Sequence, residues 1–295
     1  MEAVSPLRGE QLRRAGWLAF GAAVLTVGLV TYGAWVRVSG SGLGCPDWPL
    51  CDGAVVPRLE GATAVEFGHR LYAGVTMLTV GAAAWFAYLG RRADPTAALL
   101  VWGAFGAILF QAGLGGSTVL TELHGMVRLA HLGVAMVTLA LLTAGSVRAL
   151  GAQPSHSPGP RTVTALAIGA AIVLMAGATI VGTGVSGGCP GLPLCDERST
   201  AGAAWLHGLH RVAGVLLLAA LVWSTIELRR RRGTRLAVGL NHAVVFFVVL
   251  QVIVGIWAVA ADLPQGLRVL HLGIATLIWW AVVGQWSLVA AARGR

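Results

Sequence analysis

Four histidines lie within apolar segments of the chain and form two pairs with nearly equal spacing. His69 and His131 are 62 residues apart, and His210 and His271 are 61 apart. A single histidine in such a segment is most often a hydrogen-bonded core residue, but a duplicated pair indicates a functional role. Two imidazoles from facing helices at one depth suit axial ligation of a haem iron. Zinc is less favoured, because each half offers too few further ligands.

Each of these histidines has an arginine close by in the sequence. Arg70 and Arg211 directly follow one member of each pair, whereas Arg128 and Arg268 precede the other member by three residues, about one helical turn. An arginine side chain binds carboxylates through a planar fork of donors, and haem carries two propionates. We therefore predict two haem sites in which these four arginines pair with propionates.

The two halves differ three residues before His69 and His210. Glu66 occupies this position in the first half and His207 in the second. A carboxylate one helical turn from a haem ligand can move protons or stabilise positive charge, so Glu66 is the predicted catalytic residue. In the alternative interpretation, Glu66 only pairs with Arg70. The half with the acid is the better candidate for chemistry, and the other half resembles an electron relay.

Other histidines are assigned less directly. His124 precedes His131 by seven residues, so both lie on one face of a predicted helix and His124 is an alternative ligand. His242 lies early in the seventh apolar segment, far from the predicted sites, and is expected to be structural. The role of His207 is left open by the sequence.

The segments that position these residues are long and apolar. The chain is 56% hydrophobic and 11% charged, whereas soluble domains carry about 25% charged residues. A bilayer is crossed by about 20 apolar residues. We predict an all-α polytopic membrane protein with eight transmembrane helices, at roughly 17–37, 67–89, 97–118, 127–148, 162–183, 205–227, 237–260 and 269–290.

The two halves of the chain are repeats of each other. CPDWPLCD (45–52) recurs as CPGLPLCD (189–196), and VRLAHLGVA (127–135) recurs as LRVLHLGIA (267–275). The offset stays between 140 and 144 residues. Because each copy has four spans, the second begins on the same side as the first, which predicts two parallel four-helix-bundle repeats.

A polar segment separates the predicted halves. The N-terminal half covers 17–148 and the C-terminal half covers 162–290, and the linker at 149–161 contains the sequence GAQPSHSPGP. This composition predicts a flexible cytoplasmic connector, in which His156 is solvated.

The distribution of charge predicts the topology. All 21 basic residues are arginines, 14 in one set of alternate loops and 7 in the other, so the positive-inside rule places both termini in the cytoplasm. The net charge of +9 therefore reflects topology and not nucleic-acid binding. The run Arg229–Arg232 is interpreted in the same way, although contact with anionic lipid headgroups is an alternative.

Four cysteines fall in the loops on the opposite, outer side. Cys45 and Cys51, and Cys189 and Cys195, have the spacing C-x5-C. Disulfides persist in oxidising compartments, so we predict two structural disulfides, Cys45–Cys51 and Cys189–Cys195. Zinc binding is the weaker interpretation, and a redox-active role for the first pair stays open.

Together these motifs resemble the haem A synthase family. The resemblance rests on Glu66-x-x-His69-Arg70, on GSGLGCPDWPLC (40–51), on the duplicated histidine pairs and on the eight spans, and it covers the chain from Trp17 to about residue 290. It implies an enzyme that oxidises the C8 methyl group of haem O to a formyl group by successive hydroxylations, giving haem A for terminal oxidases.

The resemblance also implies roles for the two halves. His69 and His131 would hold the substrate haem O, and His210 and His271 would hold a haem b cofactor. The conserved acid of the family matches Glu66. The implied partners are the lipid bilayer, an unidentified electron donor and a haem O synthase.

Two other functions compete with this one on the sequence. A di-haem b cytochrome that only transfers electrons would not need the asymmetry between the halves. A transporter with parallel repeats would need charged groups near the middle of the bilayer, whereas the ionisable residues here lie near the outer ends of the spans.

Overall fold

The computed structural model describes residues 6–151, 160–230 and 235–293, which form eight α-helices and no β-strand. The helices are α1 (Pro6–Val38), α2 (Gly61–Gly90), α3 (Pro95–Leu120), α4 (Gly125–Ala149), α5 (Pro160–Gly182), α6 (Ala201–Arg230), α7 (Arg235–Ala260) and α8 (Gln265–Arg293). All eight contain a stretch long and apolar enough to cross a membrane, which confirms the predicted class and helix count.

Most helices extend beyond the predicted apolar segments. The largest difference is at α1, which begins at Pro6 instead of residue 17. Its first turns are polar and include Arg14, which donates to Glu10 one turn away at 2.5 Å. An α-helix satisfies its own backbone in water as well as in lipid, so apolar composition marks the membrane-embedded part and not the end of the helix. Residues 152–159 of the linker, which include His156, lie outside the described residues. Arg231 and Arg232 of the arginine run also lie outside them.

The helices form two rings of four. In the first ring α1 packs against α2, α2 against α3, α3 against α4 and α4 against α1. In the second, α5, α6, α7 and α8 pack in the same cyclic order. The rings meet where α8 contacts α1 and α4, and where α4 contacts α5, and we call this contact the seam.

Small side chains fill the core of the first ring. Ala15, Ala19, Ala22 and Ala23 of α1 are fully buried and pack with buried alanines and valines of α2 and α3. Lipid is as apolar as these side chains, so hydrophobicity alone does not hold membrane helices together. Alanine lets the helix backbones approach closely, and the resulting van der Waals contact stabilises the bundle.

A carboxylate fixes one end of the first ring. Asp94 is the N-cap of α3, accepts a hydrogen bond from the backbone N–H of Ala97 at 3.0 Å and precedes a proline at the first helical position. The same carboxylate pairs with Arg148 near the end of α4 at 2.9 Å, and both side chains are about one-fifth exposed. One residue therefore caps α3 and ties it to α4.

We expect Asp94→Ala to lower the free energy of unfolding by about 1–2 kcal/mol, because it removes an N-cap and a partly buried ion pair. Asp94→Asn should lose less, since asparagine also caps helices. Thermal unfolding of the full chain in detergent micelles would measure this order. Glu10→Ala, which removes the exposed ion pair of α1, is the control and should change little. If Asp94→Asn and Asp94→Ala lower the stability equally, the hydrogen bond at the N-cap does not contribute to it.

Candidate haem sites

The four predicted ligands lie near one end of the bundle. Eight helices in alternating directions bring the connections α1–α2, α3–α4, α5–α6 and α7–α8 to the same end, which carries both cysteine loops. Leu123 of the α3–α4 turn lies against Gly42 of the α1–α2 loop, so these connections touch. We call this end of the bundle the disulfide end.

His210 of α6 and His271 of α8 face each other in the second ring. Their ring centroids are 6.4 Å apart and their planes are inclined by 68°. Two imidazoles that share one metal have centroids roughly 6 Å apart, given metal–nitrogen bonds of about 2 Å on each side. His210 Nδ1 lies 3.0 Å from the Val173 carbonyl, which accepts only if this nitrogen carries the proton. That tautomer leaves Nε2 free to bind a metal, so the pair fits an iron between the rings.

His69 of α2 and His131 of α4 form the corresponding pair in the first ring. Both lie within the first three turns of their helices, at the disulfide end. Tyr32 of α1 contacts the His69 ring edge-on, with centroids 5.8 Å apart. Gln111 of α3 donates to the backbone carbonyl of His131 at 2.8 Å, and Nδ1 of His131 is buried without a hydrogen-bond partner among the described residues. A buried ring nitrogen without a polar partner is available to a bound group.

Each of the four histidines packs on a glycine of the preceding helix. A Cβ atom added to any of these glycines would lie 2.9–3.5 Å from the imidazole. The pairs are His69 on Gly33, His131 on Gly115, His210 on Gly177 and His271 on Gly255. Analysis of the sequence did not identify this set, although the glycines share the repeat offset of 140 to 144 residues.

Glu66 lies one helical turn from His69 and is 7% exposed. Its carboxylate accepts a hydrogen bond from Nε of Arg70 at 3.2 Å. The alternative that Glu66 pairs with Arg70 is therefore part of the observed geometry. Pairing with Arg70 offsets part of the cost of burying this carboxylate beside His69.

Arg70 also holds the first cysteine loop. Its Nη atoms donate to the carbonyls of Leu50 at 2.8 Å, Asp47 at 2.9 Å and Cys45 at 3.2 Å. Cys45 and Cys51 are joined by a disulfide and both are buried. Arg70 therefore connects this loop to Glu66.

Arg211 holds the second loop in the same way. It donates to the carbonyls of Pro193 at 2.8 Å, Gly191 at 2.9 Å and Cys189 at 3.2 Å, and a disulfide joins Cys189 to Cys195. The loop carbonyls face few other donors, so each arginine satisfies three of them. This role differs from the propionate pairing that the sequence suggested for Arg70 and Arg211.

Arg128 and Arg268 have no such partners among the described residues. Arg128 lies in the first turn of α4 and Arg268 in the first turn of α8, both at the disulfide end. The side chain of Arg128 is half-buried, and its Nε is buried and has no hydrogen-bond partner within the described part of the chain. A guanidinium with an unpaired buried donor one turn from a candidate ligand fits a site for a carboxylate of the bound group.

The remaining histidines occupy other positions. His207 is buried, and its Nε2 lies 2.9 Å from the Val185 carbonyl, so it connects α6 to the segment after α5. His124 is the exposed N-cap residue of α4 and lies outside the helix, so the helical spacing to His131 does not apply to it. His242 is exposed and lies 3.2 Å from an Nη atom of Arg229.

Asp47 organises the turn of the first loop. Its carboxylate accepts hydrogen bonds from the backbone N–H groups of Asp52 at 2.7 Å and Gly53 at 2.8 Å, both of which have positive φ angles. The hydrogen bond from Gly53 is the main reason why the pKa of Asp47 lies below its usual value. The bond from Asp52 and the nearby positive charge of Arg70 lower this pKa further. The second loop has Gly191 at this position and lacks the carboxylate.

The fold and the paired histidines define a class of protein, namely a polytopic α-helical membrane protein with one candidate bis-histidine haem site in each half. Comparison with known proteins gives the family. The chain matches the family described as cytochrome oxidase assembly protein (COX15-CtaA) over residues 16–64 and 60–283. The chain belongs to this family.

Individual relatives are similar over most of their length. A protein of Symbiobacterium thermophilum named "Heme A synthase" is 32% identical over 274 residues, which cover 85% of this chain and 87% of the relative. A protein of the same name from an Exiguobacterium species is 28% identical, covering 88% and 89% of the two chains. Another, from Bacillus cereus, is 30% identical and covers 86% of each.

We expect Arg70→Gln to accelerate reduction of the Cys45–Cys51 disulfide by a water-soluble thiol about tenfold, because a charge-assisted hydrogen bond contributes about 1.5 kcal/mol or more. The second disulfide should be unaffected. Arg211→Gln should do the reverse, so each variant is the control for the other. Alkylation of the released thiols followed by mass spectrometry would measure both rates. Equal rates in the variants and the unmodified protein would contradict the role of these arginines.

The turn held by Asp47 should be sensitive to acid. Folding lowers the pKa of the Asp47 carboxyl. The stability that the ionised carboxylate gives to the turn is therefore complete above about pH 4, the usual pKa of aspartate, and is lost as the pH falls through the lowered pKa. Hydrogen exchange of the Asp52 and Gly53 amides, compared at each pH with Asp47→Asn, would measure this. At pH 6 we expect these amides to exchange more slowly in the unmodified protein than in Asp47→Asn. Under strongly acidic conditions the two proteins should exchange at the same rate. A difference between the two proteins that does not change with pH would contradict it.

Proposed function

We propose that this protein is a haem A synthase, an enzyme that oxidises the C8 methyl group of haem O to a formyl group by successive hydroxylations. One observation carries the proposal: relatives named "Heme A synthase" match the chain over more than four-fifths of its length, at 32% identity in one case. The similarity therefore extends over both helix rings and not over one domain alone.

The substrate haem O is assigned to the first ring, with His69 and His131 as its iron ligands. The support is that these histidines correspond in the repeat to His210 and His271, and that the buried carboxylate of Glu66 lies one turn from His69. The second ring has no such acid, because His207 stands at that position and contacts a backbone carbonyl. Each hydroxylation of a methyl group involves proton transfer, and in this proposal Glu66 would accept or donate a proton beside the substrate haem.

Haem b is assigned to the second ring, with His210 and His271 as ligands. The support is the 6.4 Å separation of the rings and the carbonyl that fixes the tautomer of His210. When bound, this cofactor would supply electron transfer between a donor and the first ring. His210 and His271 would orient it, and Arg268 would pair with its propionates as Arg128 would with those of the substrate.

Arg70 acts in this proposal as a positioning residue. It holds the Glu66 carboxylate at 3.2 Å and fixes the first cysteine loop with its other donors. The carboxylate therefore keeps a defined orientation relative to His69. A proton accepted by Glu66 would weaken its pairing with Arg70, which would favour release of the proton to the disulfide end.

The proposed topology places the disulfide end outside the cytoplasmic membrane and both termini in the cytoplasm. It is supported by the excess of arginines in the loops of the opposite end and by the two disulfides. In the same proposal the halves 17–148 and 162–290 are parallel repeats, which is supported by the equal cyclic packing of the two rings. A haem O synthase that delivers the substrate and a separate electron donor are the proposed partners.

Co-expression of the full chain with a haem O synthase, in a host that makes no haem A, tests the proposal. We expect the unmodified protein to produce haem A, and Glu66→Gln to produce at least tenfold less, since a positioned acid–base group contributes about 10²-fold or more. His207→Gln, which changes the corresponding position of the other half and keeps a donor for the Val185 carbonyl, is the matched control and should retain haem A formation. Chromatography of the extracted pigments would measure the yield.

The assignment of the cofactor has its own test. His210→Ala and His271→Ala should each lose the absorbance of haem b from the purified protein, whereas His69→Ala should keep it and lose haem A formation. Haem b without any haem O or haem A in the co-expressing host would instead indicate a cytochrome that only transfers electrons. Unchanged haem A yield in Glu66→Gln would contradict the catalytic role of Glu66.

A further inference from the structure

Three arginines converge at the disulfide end of the seam. Arg37 is in the last turn of α1, Arg128 in the first turn of α4 and Arg268 in the first turn of α8. These three helices pack against one another. Three packed helices thus bring three positive charges to the disulfide end of the seam.

The helices are in close contact on either side of these arginines, near Gly125 toward the disulfide end and near Gly273 toward the middle of the bundle. A Cβ atom on Gly125 of α4 would overlap the carbonyl of Gly182 of α5, so the two backbones are in direct contact. A Cβ atom on Gly273 of α8 would lie 3.2 Å from the hydroxyl of Thr31 of α1. The arginines therefore cannot move apart by a simple separation of the two rings.

These arginines have no anionic partner among the residues that the structure describes. None of the ion pairs and side-chain hydrogen bonds formed by residues 6–151, 160–230 and 235–293 includes Arg37, Arg128 or Arg268. All three side chains are half-buried, and Nε of Arg128 is fully buried. Partly buried like charges destabilise a structure unless an anion compensates them, so the cluster has the properties of an anion-binding site.

The position of the cluster relates it to both candidate haem sites. Arg128 and Arg268 lie one turn from His131 and His271, which belong to different rings. Arg37 lies one turn from Gly33, on which His69 packs. Gly33 and Gly177 are equivalent in the repeat, and Arg37 follows Gly33 by four residues. The residue four after Gly177 is Val181, so Arg37 has no counterpart in the second half. The cluster is therefore a feature of the seam and not of either repeat.

We propose that Arg37, Arg128 and Arg268 form one carboxylate-binding site shared by the two halves, which binds propionates of the haem in each ring. This inference rests on the proposed function, since it requires a haem in both rings. Arg37 then has a role that neither half explains alone: its charge acts on the haem b of the second ring although it belongs to the first. A positive charge near a haem stabilises the reduced form, so it raises the midpoint potential.

The test uses the full-length protein in nanodiscs of phosphatidylcholine, titrated potentiometrically for haem b and by absorbance for binding of added haem O. We expect Arg37→Gln to lower the midpoint potential of haem b and to raise the Kd for haem O about tenfold, the effect of one lost charge-assisted hydrogen bond. Arg37→Lys keeps the charge without the planar fork, so it should preserve the potential and still weaken haem O binding. Arg58→Gln, an exposed arginine of the α1–α2 loop, is the control and should change neither.

The possible outcomes separate this inference from the proposed function. An unchanged potential and an unchanged Kd in Arg37→Gln would overturn the inference while leaving the proposed function intact. A change that appears only when phosphatidylglycerol is added would identify a lipid phosphate as the occupant and would also overturn it. Absence of haem b from the unmodified protein would overturn both. If Arg37→Gln does not fold, Arg37→Lys decides, because unchanged haem O affinity in that variant contradicts the site.

Discussion

Polar groups within a membrane have to be satisfied by the protein itself, because lipid offers no hydrogen bonds. This constraint applies to the polar groups within the helices near the disulfide end. The Val173 carbonyl accepts from His210, and the carboxylate of Glu66 is paired with Arg70. Nδ1 of His131 and Nε of Arg128 are buried without partners among the described residues, and both lie where the proposed haem would contact the protein.

The two rings show which features of a duplicated unit are structural and which are not. Both keep the histidine pair, the glycines beneath the imidazoles and the arginine that holds the cysteine loop, with nearly identical hydrogen-bond distances. They differ at Glu66 and at Asp47, where the second half has His207 and Gly191. In the proposed function the shared features hold a haem in either half, and the difference at Glu66 is the reason for assigning the chemistry to the first half.

Much of this arrangement could be predicted from the sequence, for physical reasons that differ between its parts. The helices follow from apolar length alone, and the histidine pairs follow from their repetition. The partners of Arg70 and Arg211 could not be predicted, because a backbone carbonyl leaves no signature in a sequence. The convergence of Arg37 with Arg128 and Arg268 depends on how α1, α4 and α8 meet, which spacing along the chain does not encode. The start of α1 at Pro6 was missed because a helix outside the lipid needs no apolar residues.

The pattern of contacts at the seam has an evolutionary consequence. If the two rings are exchanged, α1 takes the place of α5 and α4 takes the place of α8. The contact of α1 with α8 then becomes the contact of α5 with α4, and the contact of α4 with α8 is unchanged. Such reciprocity is the property of an isologous homodimer with two-fold symmetry. An ancestor of two identical four-helix chains would have had to carry every substitution twice. Fusion into a single polypeptide would remove that restriction, so that an acid and an extra cation could arise in one half without a counterpart in the other.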